Sequence, residues 1–386
     1  MFARFAVCKN PTMLPLEGIR VIEVAQNLAG PYCGEILALL GADVIKVERP
    51  EGDDTRGWGP PFLEGDGSSF LAVNLGKRSI RLDLKTEAGR AQLHKLADGA
   101  DVLVQNLRAG SMEALGLDAP ALMKRNPKLV YCNVHEFGGV GPMKDRPGFD
   151  PMMQAFAGLM MASGSPGGPP VRIGTQVLDH GTAMWSAIGI LAALLRRATT
   201  GKGGVVDTSL FETALGWWAI HHASYALSGQ MPERHPSGSA KLIVFQGFET
   251  KNGTLVIAAG NDRLFAKLAV AIGQAEWASD PRFAKNSGRY EHKEEILGGI
   301  AKIMATRTKG EWIDILERAG VPCAPVNSLP EVLADPQTEA VGMLMQIPGL
   351  DVRLMGLPVM IDGARPPVRR RPPRLGEHTD EILGED

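Results

Sequence analysis

The chain lacks most of the features that mark disulfide-rich, metal-binding, membrane-spanning or nucleic-acid-binding proteins. It has four cysteines in 386 residues (Cys8, Cys33, Cys132 and Cys323), and no two form a C-x-x-C pair. Thiols scattered in this way suit a reducing compartment and give neither a disulfide frame nor a cysteine zinc site. No H-E-x-x-H, P-loop or clustered Cys/His set occurs, so no metal site is expected. The loop after the first strand has no G-x-G-x-x-G, which leaves a dinucleotide-dependent dehydrogenase poorly supported. Without a G-x-S-x-G elbow, a serine nucleophile of the α/β-hydrolase type has no anchor. The longest apolar runs, 156–162 and 183–195, are short for a membrane span and are broken by Gly or Ser. A formal net charge of −2 offers nucleic acid no electrostatic hold. The first nine residues are basic and acid-free, too short for a signal or transit peptide. Residues 1–12 read as a frayed extension with Met13 as an alternative start, and the expected location is the cytoplasm.

What is present is a globular composition, 44% apolar and 22% charged, on a chain long enough for two domains. Arg20–Ala25 is a β-rich run, residues 36–40 carry helical spacing up to Gly41, and Asp43–Glu48 is a second strand. So short a crossover implies parallel strands. Further strands at 77–84, 101–105, 129–134 and 205–210 alternate with helices, the pattern of a doubly wound α/β domain. From about Gly229 the character changes. A hairpin around Lys251-Asn-Gly and a run of helices predict a smaller α+β domain at 231–319. Residues 14–228 and 325–386 then form the large Rossmann-like domain, with the Pro/Arg-rich stretch 365–374 as a solvated arm. Adjacent His221 and His222 diverge on a helix and cannot grip a metal together.

The stretch from Thr175 to Gly201 passes from an extended segment into a helix that is apolar nearly all round, which predicts burial. Asp179 stands at its mouth, in the N-cap position, with Gly201 as the stop. Spacing leaves two roles open for Asp179, a cap or a reactive carboxylate. Arg49, Lys77, Arg78, Arg108, Lys144 and Arg146 stand at strand ends or in Gly/Pro-rich loops, where a cation is either ordinary solvated charge or a phosphate contact.

An ordered set of segments narrows these choices. The segments Leu16-Glu-Gly-Ile-Arg-Val-Ile-Glu-Val, Gly41-Ala-Asp-Val-Ile-Lys-Val-Glu-Arg-Pro50 and Asp101-Val-Leu-Val-Gln-Asn-Leu-Arg resemble the class III CoA-transferases, a family that includes the α-methylacyl-CoA racemases. So do Arg146-Pro-Gly-Phe-Asp150, Thr200-Gly-Lys-Gly and Ala319-Gly-Val-Pro-Cys-Ala-Pro-Val-Asn327. The resemblance runs from about Leu14 past Met343 and implies an interlocked homodimer that moves CoA between two carboxylic acids. It implies no tightly bound cofactor, since CoA and acyl-CoA are substrates. It makes Asp179 the nucleophile. Arg49, Lys77, Asn106, Leu107, Arg108 and His135 are the implied CoA contacts, and Asn27, Leu28, Glu136 and Gly238 the implied acyl and acceptor contacts. The loops Gly138-Gly-Val-Gly and Ser237-Gly-Ser239 are candidate lids and oxyanion donors. His135 stands where formyl-CoA transferase has a Lys, and its own residue type also fits a packed strand end. Ala114 replaces a second CoA-region Arg of that enzyme. The racemases carry Gly-His-Asp where this chain has Gly148-Phe149-Asp150. Phenylalanine exchanges no proton, so a racemase is the disfavoured alternative. A silent acyl-CoA-binding protein is the other.

Overall fold

A computed structural model describes residues 13–231, 233–239 and 241–384. Cys8 and the expectations for residues 1–12 lie outside them. The chain divides into two compact units. The first comprises the described residues up to Ala157, Ile173–Ile220 and the segment from Pro336. The second comprises Gly158–Arg172 and His221–Asp335. Residues 158–172, 221–228 and 325–335 therefore leave the large unit to which the sequence pattern assigns them. Local pairing accounts for part of this: Ser163 bridges His235, Arg234 donates to the Pro169 carbonyl, and Pro325 pairs with Leu255.

The first unit is built on six parallel strands: β1 (Arg20–Val24), β2 (Asp43–Glu48), β3 (Arg78–Arg81), β4 (Val102–Gln105), β5 (Val130–His135) and β6 (Gly204–Ser209). Their spatial order is β3-β2-β1-β4-β5-β6. The chain reverses direction across the sheet between β1 and β4, and in such folds ligands bind beyond the strand C-termini at that point. Helix α1 (Ala29–Leu39) connects β1 to β2, and α2 (Glu87–Asp98) connects β3 to β4. On one face Ile22, Val24, Ile45, Val47, Ile80, Leu103 and Tyr131 pack with Leu93 and Ala97 of α2. That is the near-continuous apolar packing a doubly covered sheet requires.

The opposite face carries buried charge under α1. Lys46, fully buried, places its Nζ 3.0 Å from Glu23 Oε1, 2.8 Å from Asp53 Oδ2 and 2.8 Å from the Ala25 carbonyl. Lys77 Nζ lies 2.8 Å from Glu23 Oε2 and donates to the Pro31 and Val73 carbonyls and to Asn74 Oδ1. Burial pushes the nearby Glu35 up to about 8, so at neutral pH it is mostly uncharged. Two cations then face two anions, which limits the desolvation cost of the cluster. A Cβ on Gly34 of α1 would come within 1.8 Å of Glu23 Oε2, so the helix reaches the cluster only because that residue is glycine.

The C-terminal stretch is no solvated arm. Pro366, Val368, Pro372 and Pro373 are buried. Arg56 donates to the Pro373 carbonyl, Gly76 N–H to that of Arg370, and Gly376 N–H to Ser79 Oγ. Farther on, the His378 amide bonds the Ser79 carbonyl and Arg81 N–H bonds Thr379 Oγ1. The tail thus covers β3, an edge strand whose unpaired amides would otherwise be open to another chain. Truncation after Ala364 is expected to cost about 3 kcal/mol or more through lost burial and edge pairing. Urea unfolding measures this, and a loss below about 1 kcal/mol would restore the solvated-arm reading.

Helix α3 (Asp150–Phe156) follows the glycine-rich loop after β5, and α4 (Val177–Thr200) leads into β6 and α5 (Leu210–Trp217). α4 ends at Gly201, whose φ of 69° is the left-handed stop expected there. By length and composition α4 is the one described helix apolar enough to cross a membrane. Here it packs on the sheet: Gly189 abuts Val206, and Ser186 Oγ lies 2.7 Å from Thr208 Oγ1. Its burial is one-sided. Leu178, Ala183, Ala187 and Ile190 are enclosed, whereas Met184, Trp185, Ile188 and Leu195 are 42–75% exposed, which corrects the expectation of a helix buried all round.

The second unit holds an antiparallel sheet of β7 (Phe245–Thr250), β8 (Gly253–Ala258) and β9 (Cys323–Pro325), ordered β9-β8-β7. β7 and β8 form the hairpin signalled by Lys251-Asn-Gly. The helices α6 (Asp262–Ala271), α7 (Lys293–Met304) and α8 (Lys309–Ala319) close its core with Phe265, Ile300 and Leu316.

Candidate active site

Asp179 is the third residue of α4, and Gln176 occupies the N-cap without a side-chain bond. The sequence-based expectation that Asp179 caps the helix is therefore wrong, because another carboxylate does so. Asp150, 2% exposed at the start of α3, accepts through Oδ2 from Leu178 N–H at 2.7 Å and from Asp179 N–H at 3.3 Å. Its Oδ1 accepts from Gln154 Nε2 at 2.6 Å, and Gln154 Oε1 in turn accepts from Ile173 N–H at 2.9 Å. The segment entering α4 is tied to α3 at both ends. Backbone amides of a first helical turn need acceptors, and a buried anion there is favoured by the helix dipole.

The Asp179 carboxylate itself makes no hydrogen bond or ion pair with any described residue. Burial, then the negative charge of Asp150, pushes it up to about 7. Gly181, two residues on and on the opposite side of the helix, faces Thr213 and Trp217 of α5, and a Cβ there would stand 2.8 Å from Thr213 Cγ2. His180 bonds the Gln176 carbonyl through Nδ1, and its ring meets Tyr32 of α1 edge-on at a centroid distance of 4.8 Å. Tyr32 is one turn past Leu28, whose carbonyl it bonds. The mouth of α4 and the loop after β1 are thus neighbours.

That loop is held in an unusual shape. Asn27 has φ of 64°, its amide donates to Asp53 Oδ1 at 3.2 Å, and its own Oδ1 is buried without a partner. Asn106 fixes the preceding residue from β4, accepting from Gln26 N–H and donating to the Gln26 carbonyl. Asn27, Leu28 and Asn106 are therefore brought together at the point where the strand order reverses.

A cleft of about 170 Å³ opens beyond the C-termini of β1, β2 and β3, lined by Val24, Val47, Leu82, Leu84, Leu107 and Leu115, with Arg49 at its rim. The Arg49 side chain is 47% exposed and paired with Asp54. Arg108 is exposed. Leu107 N–H is held by Gln105 Oε1 at 2.8 Å, and Gln105 Nε2 bonds Asn133, which bonds Asp207. His135 Nε2 lies 3.4 Å from the same Asp207 oxygen. This polar row lies across β4, β5 and β6 on the face away from α4, since Thr208, the residue after Asp207, points toward that helix. His135 accordingly shares a face with the cleft rather than with α4. Glu136 lies beside Gly148, in the loop leading to Asp150, and burial raises its carboxyl above the ordinary range.

Two expected positions differ. Lys77, expected on CoA phosphates, has no exposed surface, and its four partners leave its ammonium none to offer. Gly238 belongs to the second unit. There a Cβ would fall 1.8 Å from the Phe245 carbonyl, so the backbone packing alone demands glycine. Asp150 and Gln154 carry the site without having been singled out by sequence reasoning. The signal available was Asp150-Pro, a helix start, with Gln four residues later on the same face. No cluster of metal-ligating side chains occurs among the described residues.

The chain resembles known proteins over nearly its whole length. The sequence profile of CoA-transferase family III matches residues 16–379. The succinate–glutarate CoA-transferase of Agrobacterium fabrum is 39% identical over 381 residues, spanning 96% of this chain and 95% of that protein. The acetyl-CoA:oxalate CoA-transferase of Acetobacter aceti is 38% identical over 370 residues, spanning 94% and 93%. The crystal structure of a CAIB/BAIF family protein from Brucella suis superposes with a TM-score of 0.87 at 39% identity, covering 96% of this chain and 98% of that one. The chain belongs to CoA-transferase family III and is a class III CoA-transferase.

Proposed function

We propose that the enzyme moves CoA from an acyl-CoA donor to a carboxylic acid acceptor, with Asp179 as the covalent nucleophile. The observation that carries this reading is a partly buried carboxylate that no cation or hydrogen bond of the described residues quenches, raised to about 7. A carboxylate so placed is more basic and more nucleophilic than one in water, yet still ionises near neutral pH. It attacks the thioester carbonyl, the C–S bond breaks and CoA thiolate leaves, giving a mixed anhydride. Thiolate then attacks the Asp179 carbonyl and releases the donor acid, leaving an aspartyl-CoA thioester. The acceptor carboxylate displaces thiolate from that thioester, forming a second anhydride. Attack of thiolate on the acceptor carbonyl gives the new acyl-CoA and restores Asp179. Thiolate is a good leaving group throughout, so the residues present suffice.

The cleft beside Arg49 suits the adenosine end of CoA, with apolar walls for the base and Arg49 and Arg108 for phosphate. His135, held by Asp207, lies along the same edge, and Asn27, Leu28 and Glu136 border the acyl side. Gly238 retains its proposed acceptor role on the family resemblance. Relatives named for glutarate, oxalate and mesaconate support a short dicarboxylic acid as acceptor and succinyl-CoA as a donor to try first. The exposed apolar stripe of α4, with Leu215 and Trp217 of α5, supports a homodimer that covers it. The free thiols at Cys33, Cys132 and Cys323 accord with the cytoplasm.

Incubation with succinyl-CoA followed by hydroxylamine tests the mechanism. Asp179 is expected to be recovered as its hydroxamate by peptide mass spectrometry, and an unmodified Asp179 in turnover-competent protein would overturn the reading. Because the ionised form attacks, kcat/KM for the donor should rise with pH through about 7 and level off above it. A profile flat from about pH 5 upward contradicts this.

A further inference from the structure

We propose that Asp150 is a positioning residue for Asp179: its carboxylate anchors the first turn of α4, and its negative charge sets the pH at which Asp179 becomes reactive. The inference rests on Asp179 as nucleophile and adds a role for a side chain that never meets the acyl group. Three observations carry it.

First, Asp150 is 2% exposed yet makes no ion pair among the described residues. Its donors are the amides of Leu178 and Asp179 and the Gln154 side chain. A buried carboxylate without a counter-ion is costly, and two first-turn amides of α4, aligned with its dipole, together with the Gln154 side-chain N–H make it tolerable. Second, Gln154 has no exposed surface and is spent entirely on this assembly, bonding Asp150 with its amide nitrogen and the Ile173 amide with its oxygen. Asp150 is thereby fixed on two sides, by its own helix and by the strand-like segment entering α4. Third, Asp150 Oδ2 accepts from the backbone N–H of Asp179 itself, so the Asp150 carboxylate is tied to the turn of α4 that carries Asp179.

The surroundings leave Asp150 as the source of the electrostatic effect. α1 presents the uncharged Tyr32 toward His180, the residue next to Asp179. His180 is committed through Nδ1 to the Gln176 carbonyl. Among described residues Asp150 is the charged group that acts on Asp179, in the same direction as burial. Like charges held close disfavour ionisation of one of them, here the one with no donors of its own. The ionised Asp179 is left less stabilised before attack than an exposed carboxylate, and acylation removes its charge from beside Asp150. The repulsion therefore weakens as the anhydride forms, which favours the forward step.

Asp150→Asn separates the two roles, because an amide oxygen still accepts from Leu178 N–H while the charge is gone. Wild type and D150N are acylated with succinyl-CoA between about pH 5 and about pH 9, and the Asp179 adduct is quantified after hydroxylamine. The wild-type midpoint is expected near 7, and that of D150N lower by roughly one to two pH units. A purely structural role would lower the amount of adduct without moving the midpoint, and that result overturns the proposal. If wild type forms no adduct, the nucleophile assignment fails instead. Direct titration of the Asp179 carboxyl by ¹³C NMR in both proteins then decides the positioning role, an equal midpoint refuting it. Should D150N not fold, the wild-type titration decides alone: a midpoint in the ordinary carboxylate range overturns the proposal.

Discussion

Asp179→Asn is expected to lower CoA transfer by roughly three orders of magnitude or more, the scale seen when a covalent nucleophile is removed. Asparagine preserves the size of the side chain and leaves the Asp150 bonds to the α4 amides untouched, since those involve only backbone atoms of residues 178 and 179. CoA affinity should therefore change by less than about threefold, because the proposed CoA cleft is built from other residues. The same substitution should stabilise the protein above neutral pH. A carboxyl whose folded value is raised to about 7 favours the protonated native state. Between the unfolded value and about 7 the native state binds more protons than the unfolded one, so stability falls as pH rises across that window. Removing the group abolishes the loss, worth on the order of 2 kcal/mol at pH 8 after partial screening by solvent. Transfer assays, isothermal titration with CoA and thermal melts at about pH 5 and about pH 8 read all three effects. Near-native turnover, with deamidation excluded by mass, would sink the assignment.

Lys46→Met should be the most damaging substitution for stability. The ammonium has no exposed surface and holds Glu23, Asp53 and the Ala25 carbonyl at once. Burial alone would lower its proton affinity, yet the three carboxylates Glu23, Asp53 and Glu48 outweigh burial and hold it above the ordinary lysine value. Its removal leaves buried Asp53 without a cation and Glu23 with Lys77 alone, a loss of about 3–5 kcal/mol. Asp53 also accepts the backbone amide of Asn27, so the damage should reach the left-handed turn beside Leu28 and raise KM for the donor. Urea denaturation gives the energy. A second substitution, Asp53→Asn, should recover part of it by removing one stranded charge, and a pair of losses that simply add would refute the coupling. Lys77, by contrast, acts within the same cluster and not on the ligand, so its effect should appear in stability rather than in salt-sensitive CoA binding.

Much of this architecture is legible along the chain because it depends on neighbours in sequence. Val21, Ile22 and Val24, then Val44, Ile45 and Val47, are apolar runs bounded by a helix too short to permit anything but a parallel return. Lys251-Asn-Gly forms its hairpin and Gly201 stops its helix for equally local reasons. The position of Asp179 at a helix mouth was legible from the change of pattern around Thr175. The fate of the charges was not. Arg49 and Lys77 both stand near strand ends, yet one is half exposed and the other fully enclosed, because α1 with Gly34 closes over the second. The Arg-rich tail is likewise polar by composition, yet its Pro366, Val368, Pro372 and Pro373 are buried and its backbone bonds Gly76 and Ser79, beside and on β3.

The sequence by itself determined the alternation of strands and helices, their parallel pairing, the stop signals and the presence of a carboxylate where a helix begins. These follow from periodicity and backbone preference within a dozen or so residues. Only the tertiary structure decided which charges face each other, that Asp150 rather than Asp179 supplies the cap, and that one side of α4 stays uncovered. The physical reason is that desolvation and Coulomb interaction depend on distance in space. Asp150 and Asp179 are 29 positions apart in the chain, yet the Asp150 carboxylate accepts from the amides of the helical turn that carries Asp179.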